Sequence, residues 1–578
     1  MSGAGLAPWL WLVATTWPLL LAAAWARAAW RGAVGRLTAW AAAPALVASV
    51  WPGDGVVSVE GLLLGMRLGL DETGRAFLFV TAAVWTAAGV FARAAQASER
   101  DAPRLHLFWL LALAGNVGLL LAQDLFSFYA GFALMSFASY GLVVHGRDRQ
   151  AFRAGRVYIA LVVVGEVLIF AGMIGLAGAG AGTAFPVEPV RPVDPVLLVC
   201  LLLGFGIKVG VLPLHVSLPL IYPVAPVAAA AALGGATINA GVLGWLRFFP
   251  LGGADAAGLS GPVMALGLGA AFFGASVGVV QASPRAVLAY SSISQMGLVT
   301  VGVGAALLGP LAAPGAVAAV TLYALHHGLA KGALFLAAGI ANDAAVATTR
   351  RVVLAATLLP ALALAGAPLT SGALAKVAFK ASLVPLPGPW PGRLGLLLPL
   401  AAVGTTLLMA RFLVLLWRAP VQARRPRAAT TLWSAWVALL LLVALGAWIW
   451  PGPHAAADAL APAVWWSLSW PVLVGALAAW LAARVVGARG LPGWLRIPPG
   501  DLLAGVEWAD NTLRHAAAGS FASPTIRHAI AACFSWMAAG GGRSGRLIGV
   551  LETHLRAWPS VGLLLVLLTG VLLFALSR

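Results

Sequence analysis

Lys208, Lys331, Lys376 and Lys380 are the only lysines among 36 basic side chains, and each lies in or beside a long apolar run. Subtracting those four from 36 leaves 32 arginines. An ammonium taken out of water can release its proton near neutral pH, whereas a guanidinium stays charged. Lysine kept where a charge is costliest is the choice expected of a chain of groups that take up and release protons. The carboxylates are as selective. Of 18 acidic residues only Glu166, in VVVGEVLIF, falls deep inside an apolar run, while Asp124 falls at the edge of one. A lone carboxylate in hydrocarbon must be paired or protonated. Its expected partner is one of the lysines, either as a static tie between helices or as half of a pair that opens and closes.

Three segments surround the lysines. GFGIKVGVLPLHVSLPLIYPVAP carries Lys208, His215 and four prolines, with Pro213 five residues after Lys208. Proline removes a helix hydrogen bond and clashes with the preceding turn, so a helix broken here leaves carbonyls free to hold water or an ammonium. TLYALHHGLAKGALFLAAG spaces His327 and Lys331 four apart on one helical face, with Tyr323 one turn earlier. His326 falls on a different face and reads as a packing residue. LALAGAPLTSGALAKVAFK repeats the first design: Gly366, Pro368 and Gly372 interrupt a span before Lys376 and Lys380. Lys380 reads as an interfacial anchor. Two broken helices, each with a lysine, in corresponding halves are the pattern of an inverted-repeat transporter.

The elements that hold these residues follow from composition. The chain has 578 residues, is 61% hydrophobic and 9% charged, and has a mean hydropathy of +0.95. Too few charges exist to cover a soluble protein of this size. Apolar runs of about 20 residues without alternation predict an all-α polytopic membrane protein rather than a β-barrel. Some 14–16 spans are expected, beginning near Pro8, Val34, Gly74, Leu105, Asp124, Arg153, Pro195, Val224, Gly261, Arg285, Ala313, Val352, Leu394, Thr430, Ala463 and Ser560. Loops after odd-numbered spans hold 17 arginines, from Arg27 to Arg427, and those after even-numbered spans hold five: Arg67, Arg75, Arg191, Arg247 and Arg393. The positive-inside rule places the arginine-rich loops in the cytoplasm and both termini outside a bacterial-type inner membrane. The net charge of +18 is therefore topological and does not point to nucleic acid.

The apolar N-terminus reads as a retained first helix. Residues 1–486 read as one transmembrane domain, 487–557 as amphipathic helices lying along the cytoplasmic side, and 558–578 as a last span. Cys200 and Cys533 form no metal or redox motif, and no cofactor or metal is expected in this chain.

At DLFSFYAGFALMSFASYGL, GFGIKVGVLPLHVSLP, RAVLAYSSISQMGLV, HHGLAKGALFLAAG and AGAPLTSGALAK, in that order, the chain resembles the antiporter-like subunits of respiratory complex I. The same family includes Mrp cation/proton antiporter subunits and membrane subunits of group 4 hydrogenases. The resemblance covers about residues 60–420. It implies two inverted five-helix repeats with spans 7 and 12 broken. It also implies a proton path through Lys208, His327, Lys331 and Lys376, and partners that are other membrane subunits, including a redox module. In the family a glutamate on the fifth span pairs with the seventh-span lysine, and an eighth-span lysine continues the relay. Those positions here are Ala133 and Asn239, and an acidic position after the LP motif is Leu220. The expectation is that Glu166 replaces the missing carboxylate and Asn239 holds a relay water. A chain of this kind is expected to be the proton-pumping subunit of an NADH-quinone oxidoreductase-like or hydrogenase-like translocase. The alternative is a cation/proton antiporter or proton-coupled inorganic-carbon transporter, alone or in two components. A lipid-linked transferase would need interfacial carboxylates, a histidine cluster or a metal motif, which the sequence lacks.

Overall fold

The computed structural model describes residues 3–53, 55–95, 102–178, 183–185, 194–253, 256–343, 347–418, 429–449, 458–486 and 497–501. The span expected near Ser560, and nearly all of 487–557, lie outside the described residues. Two compact units are present. One comprises the described residues up to Val59 and from Met66 to Gly500; the other takes Glu60–Gly65 and the chain from Asp501 onward.

Among the described residues, 14 helices are long and apolar enough to cross a membrane, from Leu6–Trp25 to Pro462–Val485, and Ala429–Ile449 is a further apolar helix. They appear in the expected order. The second begins at Ala28, earlier than Val34, so that Arg31 and Arg36 lie in its first turns. The helices are labelled α1 (Gly3–Trp25), α2 (Arg31–Leu37), α3 (Ala43–Val50), α4 (Glu72–Ala95), α5 (Ala102–Leu121), α6 (Leu125–Val143), α7 (Arg149–Leu176), α8 (Pro195–Val209), α9 (Ser217–Val224), α10 (Val227–Ala232), α11 (Ile238–Phe248), α12 (Ala257–Val279), α13 (Pro284–Ala306), α14 (Ala313–Asp343), α15 (Ala347–Ala365), α16 (Ser371–Ser382), α17 (Trp390–Arg418), α18 (Ala429–Ile449) and α19 (Pro462–Val486). One feature departs from the all-helical expectation. Val56–Val59 and Met66–Gly69 form an antiparallel hairpin, β1 and β2, with Val56 opposite Gly69. It lies between the second and third spans, where no stretch needs to cross the membrane.

Burial sorts the helices into two layers. The apolar middles of α13 and α14 are enclosed by protein over 18 residues, whereas α7, α17 and α19 expose apolar side chains such as Val167, Phe170, Leu396 and Leu477. A helix that is apolar all round suits either place: the inner ones face other helices, the outer ones face lipid. Lipid supplies no hydrophobic drive between helices, so close approach depends on small residues. The α12–α13 crossing shows this. A Cβ built on Gly297 would lie 2.5 Å from the Gly267 carbonyl oxygen and 2.6 Å from the Ala271 amide nitrogen.

Spans 7 and 12 are broken, and both breaks are made the same way. α8 ends at Gly210 (φ +80), where the Val211 amide donates to the Gly206 carbonyl, and a 3₁₀ turn, Leu214–Val216, leads into α9. α15 ends at Gly366 (φ +82), where the Ala367 amide donates to the Leu362 carbonyl, and Thr370 caps α16. Each is a left-handed glycine closed by a six-residue hydrogen-bonded loop, with a proline two or three residues later that forbids continuation.

Gly297→Ala should cost about 1–3 kcal/mol of stability through overpacking. Gly269→Ala should be near neutral, because no atom lies within 4 Å of its Cβ position. Thermal unfolding of the detergent-solubilised protein, variant against parent, checks both.

Candidate functional site

Around the first break, Glu166 and Lys208 line one cavity of about 30 Å³ together with Ser136, Tyr158, Ser217 and Tyr222. That is room for about two waters. α7 supplies Glu166 and Tyr158; the end of α8 supplies Lys208. Glu166 is 5% exposed, and its Oε2 has no protein hydrogen-bond partner among the described residues. Lys208 Nζ donates to the Tyr158 hydroxyl at 3.4 Å and sits 5.7 Å from that ring's centroid; the hydroxyl donates to the Ser136 carbonyl at 2.9 Å. Glu166 and Lys208 thus share a cavity without a direct ion pair. The free-carbonyl expectation for Lys208 is corrected: the side-chain partner of its amine is the Tyr158 hydroxyl. Lys208 still occupies the last turn of a helix, where the dipole favours a cation.

The same cavity reaches Leu233, Thr237 and Ile238, beside Asn239. A π-helical turn, Leu233–Thr237, joins α10 to α11 and carries Gly235 against Gly328 of α14, where a Cβ on Gly328 would press on the Gly235 carbonyl. That close crossing lets Asn239 reach both helices: its Nδ2 donates to the Gly235 carbonyl at 3.2 Å and the Ala324 carbonyl at 3.5 Å. Its Oδ1 has no protein partner among the described residues.

α14 presents a different face to each neighbour. Tyr323 donates to Gln295 Oε1 at 2.8 Å, and Gln295 Nε2 donates to Thr405 Oγ1 at 2.9 Å, joining α13, α14 and α17. Lys331 is fully buried and donates to the Leu288 carbonyl of α13 at 2.7 Å. His327, one turn before it, is fully buried with neither ring nitrogen hydrogen-bonded to protein among the described residues. His326 does more than pack, which corrects the sequence reading: its Nδ1 lies 2.9 Å from Ser371 Oγ, at the start of α16.

At the second break Lys376 reaches back from α16 to the Ala365 carbonyl, the last of α15. A Cβ on Gly366 would lie 2.7 Å from Lys376 Nζ, so the glycine also clears space for the amine. The free carbonyl expected beside a broken helix is found here. Lys380 is exposed. His215 is buried in the 3₁₀ turn after the first break, with its ring edge-on to Phe273 at 5.0 Å. Asp124 is placed elsewhere: it caps α6 by accepting from Ser127 N at 2.8 Å and ties the hairpin by accepting from Arg67 N at 2.8 Å. Among the described residues no group of three or more His, Cys, Asp or Glu side chains could hold a metal.

Glu166, Tyr158 and Lys208 thus share a cavity that reaches the residue before Asn239, while Asn239 bonds to Ala324 of α14 and His326 of α14 to Ser371 of α16. Sequence reading passed over Tyr158, Gln295 and Ser371, and read His326 as packing only. Gln295 carried a usable signal, an amide in the middle of an apolar run, like Glu166. Tyr158 and Ser371 carried none, since hydroxyl residues are common in spans. Ser371→Ala should cost about 0.5–1.5 kcal/mol by leaving His326 unpartnered. Ser371→Thr, which keeps the hydroxyl, should recover most of it in thermal unfolding of the solubilised protein.

Comparison with known proteins agrees with this architecture. Residues 122–385 match the family model described as NADH:quinone oxidoreductase/Mrp antiporter, TM. Hydrogenase-4 component B of Escherichia coli is 27% identical over 42% of this chain and 38% of its own length. A subunit of the Na(+)/H(+) antiporter of Alkalihalophilus pseudofirmus is 31% identical over 49% of this chain and 59% of its own length. The matched region thus spans well under two thirds of these relatives. A chain of the Mrp complex of Dietzia superposes with a TM-score of 0.66 at 20% identity, over 94% of this chain and 62% of that one. A chain of the archaeal membrane-bound sulfane sulfur reductase superposes at 0.62 and 18% identity, over 80% and 99%. At these identities the two structures establish the fold. With the broken helices, the buried middle of α14 and the match through residues 122–385, the core of this polytopic protein is similar to the NADH:quinone oxidoreductase/Mrp antiporter family.

Proposed function

We propose that this chain is a proton-translocating membrane subunit of a complex I-like, hydrogenase-like or Mrp-like assembly. Protons move along Glu166, Lys208, Asn239, Lys331, His327 and Lys376. The observation that carries the reading is the shared cavity of Glu166 and Lys208, in which a buried carboxylate oxygen lacks a protein partner and two waters fit. An opposite charge within about 4–6 Å favours the charged form of each group, and burial opposes it. Small movements of α7 against α8 therefore change how firmly the pair holds a proton. Asn239 carries no proton itself but its free Oδ1 can hold a relay water. Tyr323 and His215 line the route as accessory polar groups, Lys380 anchors α16 at the interface, and Asp124 stabilises the fold.

Spans 7 and 12 are five spans apart and so run in opposite directions, which supports two inverted five-helix repeats. The arginine distribution supports a cell-membrane location with both termini outside. The driving energy comes from a partner, a redox module or a second antiporter-like subunit, since the sequence carries no nucleotide or redox motif.

In the native assembly, or in proteoliposomes containing it, Glu166→Gln, Lys208→Ala and Lys376→Ala should each slow proton translocation at least about tenfold, the equivalent of ~1.4 kcal/mol at the limiting step. Lys380→Gln and Asp124→Asn should retain near-parental rates in whatever protein folds. A pH-sensitive dye with and without Na⁺ separates proton movement from exchange. Undiminished flux in Glu166→Gln would refute the pairing with Lys208.

A further inference from the structure

We propose that the surface where the first four spans meet one face of the membrane is a binding site for an anionic phospholipid headgroup. The ends of α1 and α4 and the starts of α2 and α5 converge there. Between them lies a notch of about 10 Å³ lined by Gly35, Thr38, Gly89, Arg93, His106 and Trp109. It admits about one oxygen-sized group.

Gly35 packs against Trp25 and His106 at one wall of the notch, 3.5 and 3.9 Å from the position its Cβ would take. The His106 ring is held against Trp25, centroid to centroid 4.8 Å. Arg31 is fixed at the same edge by a 3.2 Å bond from Nε to the Trp25 carbonyl, which leaves its terminal amines outward. Arg27, Arg36, Arg93 and Arg104 are all exposed. The first 53 residues contain no acidic side chain; Glu99 and Asp101 of the following loop lie outside the described residues.

Charge alone would suit any phosphate. The flanks specify a lipid: Trp30, Leu37 and Trp40 are 50%, 43% and 53% exposed beside the arginines. Tryptophan and arginine interspersed through the first turns of a span place apolar surface at acyl chains and guanidinium groups at headgroups. Basic pockets between transmembrane helices take anionic headgroups in this way. The arginine at 93 and the ring at 106 would bond the phosphate oxygens, with the exposed arginines supplying the field.

The test is native mass spectrometry of the purified full-length chain in non-ionic detergent, titrated with dioleoyl-phosphatidylglycerol, dioleoyl-phosphatidylcholine or inorganic phosphate. Phosphatidylglycerol should be retained in preference to phosphatidylcholine. Arg36→Gln and Arg93→Gln should each weaken retention about fivefold, while Arg36→Lys and Arg93→Lys preserve most of it. Both arginines are exposed, so the fold should survive, and thermal unfolding verifies that. Equal retention of the two lipids, competition by inorganic phosphate at equal concentration, or unchanged retention in the Gln variants would overturn the proposal. Loss of bound phosphatidylglycerol on assembly with partner subunits would do the same, by assigning the face to protein.

Discussion

A cation inside a bilayer needs a compensating negative end, and a membrane helix supplies one only where it stops. In an unbroken helix nearly every carbonyl is committed to the backbone ladder. At Gly210 and Gly366 the ladder ends inside the bundle, and the C-terminal dipole of a half-helix points at the place where an ammonium sits. Lys208 lies in that last turn itself; Lys376 reaches it from the far side of the break. The two positions differ in sequence and coincide in physics. The left-handed glycines, the following prolines and the caps that restart the chain all serve to end a helix at depth without stranding its polar groups.

The rest of the buried polarity is organised around α14. Enclosed over its middle 18 residues, this helix can present polar side chains on several faces without meeting lipid. Tyr323 and Lys331 turn to α13, Ala324 and Gly328 meet Asn239 and its π-helical turn, and His326 faces Ser371. Buried polar groups are tolerated when partnered, and most of these are. Glu166 Oε2, Asn239 Oδ1 and both ring nitrogens of His327 have no protein partner among the described residues, and the same holds of His326 Nε2, Tyr222 Oη and Asn116 Oδ1.

The span order and both broken helices were legible because each rests on local chemistry. Twenty apolar residues fit one bilayer crossing, and a left-handed glycine with a proline two or three residues later ends a helix. The resemblance motifs fixed which lysines to watch. The hairpin at Val56–Gly69 was not legible, since four-residue strands between spans leave no periodicity long enough to read. Asp124 was noticed for being acidic at a span edge, a position equally suited to a helix cap, which is where it sits. His326 was set aside on helical phase alone, which says that it faces away from Lys331 but not what lies on that other side.

The sequence by itself determined that this chain crosses the membrane many times, that two crossings are interrupted, and that its four lysines and Glu166 lie in or beside apolar runs. These follow from the cost of moving a peptide group or a charge out of water, which depends on residue type and on near neighbours along the chain. Only the tertiary structure decided which groups meet. Glu166 and Lys208 are 42 residues apart, and no local rule sets whether a carboxylate faces lipid or a lysine. Helix rotation does, and it is fixed by where glycines allow neighbouring backbones to approach. That packing gave Lys208 a tyrosine hydroxyl, Lys376 a carbonyl, and the pair at the first break one cavity to share.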